Sequence, residues 1–198
     1  MTPRIKLGLI ALAAIAAGGW FWSNAGQKPP GMGMGMGMGM AMAPVAMAQA
    51  QAQTNAPEFT GLGQWFNSEP LTMQQLRGKV VMVDFWTYGC INCVRTLPHV
   101  TKLYEKYKDK GLVIVGIHTP EFAFERSAGN VQTALKRHSI TYPVAQDNDF
   151  ATWKAYRNQY WPAQYIVDRS GKVVYTHAGE GAYEEMDRLI GKLLNATS

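Results

Sequence analysis

The sequence predicts an α/β fold built around a buried central sheet, on three observations. Val80-Val81-Met82-Val83-Asp84-Phe85-Trp86 is β-branched and almost unbroken, the pattern of a strand covered on both faces. Ile91 to Lys110 places Ile91, Val94, Leu97, Leu103, Tyr104 and Tyr107 among lysines, with Gly111 behind it, the pattern of an amphipathic helix and its stop. Leu112 to Ile117 is a second apolar run, and two adjacent strands joined by a helix run parallel.

The elements follow in order. Arg4 and Lys6 precede an uncharged run from Leu7 to Trp22 that ends in Trp20-Phe21-Trp22. This is the order of an exported signal peptide or an N-terminal membrane anchor, assigned here to residues 1–26. Residues 27–57 are almost all Gly, Met, Ala, Gln and Pro, with methionine at 32, 34, 36, 38, 40 and 42. No core can be built from these, and they are expected to form a flexible tether. Their thioethers are also soft ligands of the kind Cu(I) prefers. Residues 58–198 form one domain. All 14 acidic residues and 16 of the 19 lysines and arginines lie there, so it is close to neutral and no nucleic-acid surface is expected.

Within that domain, Gly61 to Lys79 reads as a short strand or hairpin followed by a brief helix. After the central βαβ unit and His118-Thr119-Pro120 comes an inserted segment through Ser127. A helix from Asn130 to His138, a strand from Tyr142 to Gln146 and a short helix from Phe150 to Tyr156 follow. Ala163 to Val167 and Lys172 to His177 flank the turn Asp168-Arg169-Ser170-Gly171 as an antiparallel pair, and Tyr183 to Leu194 closes the chain as an amphipathic helix. Pro98 is expected to kink the long helix.

The chemistry is concentrated at the first strand-to-helix junction, which carries the only two cysteines, Cys90 and Cys93. Thiolate is the reactive form of cysteine, and free N–H groups at a helix start favour negative charge. Two residues between the cysteines allow a disulfide across the first turn, whereas a bridge closing so short a loop staples nothing distant. Val94 stands where covalent haem attachment needs histidine, and a structural zinc site needs two further ligands. Asp84 is the one charge in an apolar strand. A carboxylate buried there has a raised pKa and can take a proton from a neighbouring thiol near neutral pH.

Asp84-Phe85-Trp86 with Cys90-x-x-Cys93, Pro98, and a proline opening a later strand resemble the thioredoxin superfamily. Phe85 through Cys93, Gly116-Ile117-His118-Thr119-Pro120-Glu121, Tyr156-Arg157-Asn158 and Tyr160-Trp161-Pro162-Ala163 look like the exported domain of DipZ-type proteins, with the tethered architecture of TlpA and ResA reductases. The resemblance implies a thioredoxin fold, a mixed sheet flanked by helices with an insert after its second core strand. It makes Cys90 the attacking thiol, Cys93 the resolving thiol and Pro162 a cis proline beside them, with Trp161 offering backbone to an incoming chain. Asp84 matches the carboxylate beneath the second cysteine, and Glu121 the acid of the insert. Trp86, Tyr88 and Trp161 are expected to form an apolar rim, with plain core as the alternative for Trp86.

The expected activity is exchange of disulfides with protein substrates in the periplasm, in the reducing direction, for cytochrome c maturation or envelope thiol homeostasis. The protein would act as a monomer, without metal or cofactor beyond the dithiol. Electrons would come from a membrane-embedded donor of the CcdA or DsbD type. The rival reading is a copper chaperone of the Sco type, for which His177 is the distant ligand.

Overall fold

The computed structural model describes residues 54–196. The expected signal or anchor, and the tether up to residue 53, lie outside them. In chain order the elements are β1 (Trp65–Phe66), β2 (Val80–Trp86), α1 (Ile91–Tyr107), β3 (Leu112–His118), α2 (Ala128–Arg137), β4 (Val144–Gln146), α3 (Ala151–Ala155), β5 (Ala163–Val167), β6 (Val173–Ala178) and α4 (Tyr183–Asn195). Among the described residues, no helix is long and apolar enough to cross a membrane.

The strands form one mixed sheet in the order β1-β4-β3-β2-β5-β6. β2 runs parallel to β3 and antiparallel to β5, which places it inside the sheet and explains its continuous apolar sequence. All seven of its residues are buried. Period-two alternation then sorts them. Val80, Met82 and Trp86 join Leu97, Val100 and Leu103 of α1, Val131 and Leu135 of α2, and Met186 and Ile190 of α4 in one core cluster. Val81, Val83 and Phe85 join Trp153, Tyr156 and Met73 in a second cluster on the opposite face. Burying each such side chain contributes about 1.5–3 kcal/mol. Asp84 alternates with Met82 and Trp86, so the pleat places it on the α1 face.

α1 continues unbroken through Pro98, becomes a 3₁₀ turn over Lys108–Lys110, and is stopped by Gly111 at φ 101°. That conformation is open to glycine at little cost. The stretch between Gly61 and Lys79 differs from expectation. β1 pairs with β4 rather than forming a hairpin, and residues 73–78 make turns rather than a helix. Side chains cap the first of these turns: Glu58 accepts the N–H groups of Met73 and Gln74, and Thr72 accepts that of Gln75. Gly78, at φ 84°, then ends the segment.

The insert between β3 and α2 holds a 3₁₀ turn, Ala123–Arg126. The chain enters the folded part earlier than Glu58. Asn55 bridges Lys172, the Ala56 N–H donates to the Gly171 carbonyl, and the Val173 N–H donates to the Thr54 carbonyl. These contacts lie beside the β5–β6 turn, at the end of the sheet opposite the Cys90 junction.

Candidate active site

Cys90 is the N-cap of α1, and its sulfur accepts the Cys93 N–H at 3.4 Å. The helix start thus turns a donor onto Cys90 Sγ, and its field favours negative charge at that place. Both cysteines are free thiols. Cys90 is half-buried, whereas Cys93, one turn inward, is fully buried in the cluster beneath α1. Burial pushes the Cys93 thiol well above its usual range. A backbone hydrogen bond with Thr87 works against this, and the neighbouring Cys90 and Asp84 charges add to it. The arrangement therefore divides two roles: a thiol open to solvent and a hidden one that needs a base before it can attack.

Asp84 supplies a carboxylate on the same buried face. It pairs with Gly116 of β3 on one side and Gln164 of β5 on the other. The Gln164 Nε2–H group donates to Asp84 Oδ1 at 2.9 Å. Burial pushes the Asp84 pKa up to about 7, against the lowering effect of that hydrogen bond. A carboxylate that titrates near neutrality beside a buried thiol has the properties of a general base.

The outer wall comes from the loop before β5. The Trp161–Pro162 bond is cis, and the Trp161 carbonyl oxygen lies 4.0 Å from Cys90 Sγ. The Trp161 indole donates to the Thr119 carbonyl at 3.1 Å, and its ring lies 4.2 Å from that of Trp153. Buried Asp147 accepts the Thr152 and Trp153 N–H groups and the Thr119 hydroxyl, tying α3 to the same wall.

Glu125 is the acid of the insert that reaches this site. It is fully buried. Its Oε1 accepts the Gly89 N–H at 2.7 Å, and its Oε2 accepts the N–H groups of Glu121 and Phe122 at 2.6 and 2.8 Å. A Cβ at residue 89 would run into this carboxylate, which is the reason for glycine before Cys90. Glu121, the acid singled out from the sequence, is exposed and enters the network through its backbone N–H alone. The signal for Glu125 was the second acid in Glu121-Phe122-Ala123-Phe124-Glu125, spaced to close a turn on itself.

Of the expected rim, Trp86 takes its alternative place. Trp86 is fully buried in the core and packs its edge against His118, because β2 continues through it before the chain turns. Tyr88 does reach the rim, stacking on His118 and donating to the Phe124 carbonyl at 2.9 Å. Trp161 is partly buried beside the dithiol. Among the described residues the large exposed apolar side chains are Ile91 (60%), Phe122 (49%), Phe124 (57%) and Tyr160 (61%), contributed by the start of α1, the insert and the loop before Trp161. Phe122 and Phe124 stack at 5.6 Å.

His118 is buried, with its Nε2 3.3 Å from the Thr87 hydroxyl, and burial drives its pKa down to about 4. His177 lies on β6, its ring nitrogen 3.2 Å from the Glu180 carbonyl oxygen. Among the described residues no three His, Cys, Asp or Glu side chains converge as a metal-ligand set.

Comparison with known proteins places this geometry. The model of the AhpC/TSA family matches residues 52–176. The protein DipZ of Mycobacterium bovis is 48% identical over 143 residues, which are 71% of this chain but only 21% of that protein's length. The thiol-disulfide oxidoreductase YkuV of Bacillus subtilis is 32% identical over 142 residues, spanning 71% of this chain and 95% of its own. A crystal structure described as a putative thiol:disulfide interchange protein DsbE from Chlorobium tepidum superposes with a TM-score of 0.64 at 25% identity, over 72% of this chain and 97% of that one.

Proposed function

Because the chain belongs to the AhpC/TSA family and is a thioredoxin-like thiol-disulfide oxidoreductase, we propose that it reduces disulfides of protein substrates in the bacterial cell envelope through Cys90 and Cys93. The observation that carries this reading is the split between a half-exposed sulfur at the α1 cap and a buried sulfur on the same face as Asp84.

Cys90 thiolate attacks one sulfur of a substrate disulfide. That bond breaks, a Cys90–substrate disulfide forms, and the other substrate sulfur leaves as thiolate. Cys93 then gives its proton to Asp84 and attacks Cys90 Sγ. A Cys90–Cys93 disulfide forms, the second substrate sulfur leaves, and the substrate has gained two electrons. The Trp161 carbonyl beside Cys90 offers backbone to the incoming chain. Ile91, Phe122, Phe124 and Tyr160 offer it apolar contact, as suits a polypeptide partner.

Residues 1–26 would export the domain or anchor it, and 27–53 would tether it. A membrane-embedded donor of the CcdA or DsbD type would return the dithiol to its reduced state. Cytochrome c maturation and general envelope thiol homeostasis both fit this scheme.

Equilibration of the Cys90–Cys93 couple against glutathione tests the direction. A reductase is expected near thioredoxin's value of about −270 mV, and a value near about −120 mV, that of the strongest periplasmic oxidants, overturns the reading.

A further inference from the structure

The base is fully accounted for on one oxygen only. Asp84 Oδ1 accepts from Gln164, whereas Oδ2 is buried without a partner. Four other polar atoms on this face share that condition: the Tyr142 hydroxyl, the Trp86 indole nitrogen, Gln164 Oε1 and His118 Nδ1. Each orphaned buried group costs about 1–3 kcal/mol, and a cluster of them in one region calls for a shared partner.

Gly116 brings them together. It is the β3 register partner of Asp84, and it has no side chain. A Cβ there would stand 3.0 Å from Trp86 Nε1 and 3.1 Å from Tyr142 Cε2. The space beside the carboxylate, which a side chain at 116 would intrude on, is thus bounded by the Tyr142 ring and the N–H edge of Trp86. Tyr142 is held there by the edge of the Tyr104 ring at 5.7 Å, and it is wholly buried.

We propose that Tyr142 is a positioning residue for disulfide exchange, its hydroxyl and the Trp86 indole N–H holding one buried water against Asp84 Oδ2. Water suits three groups of this kind, taking the indole N–H and giving hydrogens to acceptors. When Asp84 is ionised the phenol and indole donate toward it through that water, and the carboxylate is stabilised. When Asp84 holds the proton from Cys93 the phenol turns to accept. The inference rests on Asp84 being the base for Cys93.

The surrounding groups leave this task to neutral donors. From α1 come Cys93 and Tyr104, from β5 Gln164, from β3 Gly116 and the neutral His118, and from α4 the apolar Met186 and Ile190. Among the described residues no lysine or arginine is buried, so no cation balances Asp84. Burial and the Asp84 charge keep the Tyr142 phenol protonated far above neutral pH, so its O–H is available whenever Asp84 is ionised.

The test is a pH series of stopped-flow reactions of the reduced full-length protein with stoichiometric 5,5′-dithiobis(2-nitrobenzoate). The first thionitrobenzoate released reports attack by Cys90, and the second reports attack by Cys93. In Tyr142→Phe the first phase is expected to match wild type. The midpoint of the second phase is expected to move up by about one pH unit, making it several-fold slower at neutral pH. In an Asp84→Asn background, Tyr142→Phe should add nothing.

An unmoved midpoint in Tyr142→Phe, or an undiminished effect in the Asp84→Asn background, overturns the role of Tyr142. A second phase that Asp84→Asn leaves unchanged overturns the reading of Asp84 itself. Gly116→Ala, which presses a methyl against the same two rings, should move the midpoint in the same direction, and an unchanged profile there counts against the shared water.

Discussion

Asp84 and His118 are both buried on the α1 face of the sheet, and burial favours the neutral form of each, which gives them opposite effects on stability as pH changes. The Asp84 pKa is raised from 3.8 to about 7. Its contribution is therefore intact below pH 4 and is lost as pH rises through 7, a cost on the order of 4 kcal/mol. The His118 pKa is lowered from 6.5 to about 4, so its contribution is intact above pH 6.5 and is lost as pH falls through 4, on the order of 3 kcal/mol. Between these limits the two slopes oppose each other. Asp84→Asn is expected to be more stable than wild type by about 2–4 kcal/mol at pH 8, with the difference closing toward pH 4. Urea unfolding at the two pH values checks this, and equal midpoints at pH 8 would show that Asp84 ionises there without cost. Asp84 was legible in the sequence because a lone acid in an apolar strand has no bland explanation. Tyr142 and Gln164 were not, since a tyrosine before a strand and a glutamine within one acquire meaning only through the register that sets them around Gly116.

The insert between β3 and α2 is joined to the dithiol loop by a single carboxylate. Glu125 holds the N–H of Gly89 on one side and those of Glu121 and Phe122 on the other, so the apolar pair Phe122 and Phe124 is indexed to the residue preceding Cys90. Hydrogen bonds to a charged group contribute about 1.5–3 kcal/mol each. Glu125→Ala is expected to destabilise the domain by about 3 kcal/mol or more and to speed amide exchange at Gly89, Glu121 and Phe122 by at least tenfold. Exchange rates at Gly89 that match wild type would show that the loop is held by other contacts. The insert was visible in the sequence as a segment too long for a turn, and its chemistry was assigned to Glu121. Which of two acids four residues apart turns inward depends on a 3₁₀ turn that no apolar periodicity announces. The long elements were readable because their patterns are strong: β2 by continuous burial, α1 and α4 by one apolar stripe each. The two-residue β1 was misread because its pairing partner, β4, lies about 80 residues away in sequence.

Over the whole molecule, the sheet has a reactive end and an attachment end. Cys90, Trp161 and the insert gather where β2 finishes and β5 begins, whereas Thr54–Ala56 join the chain to Gly171–Val173 at the other end. Shortening the chain to begin at Glu58 removes these pairings and is expected to cost about 1–3 kcal/mol, whereas beginning at Thr54 retains them. Thermal unfolding of the two shortened proteins distinguishes the cases, and identical midpoints would make the pairing dispensable. Five strand residues separate the two ends, roughly 17 Å at 3.4 Å per residue. A domain fixed to a bead or an electrode through residues preceding Thr54 would accordingly stand with its sulfurs directed away from the support. In that orientation a bulky protein could be titrated against the immobilised dithiol without the surface obstructing its approach.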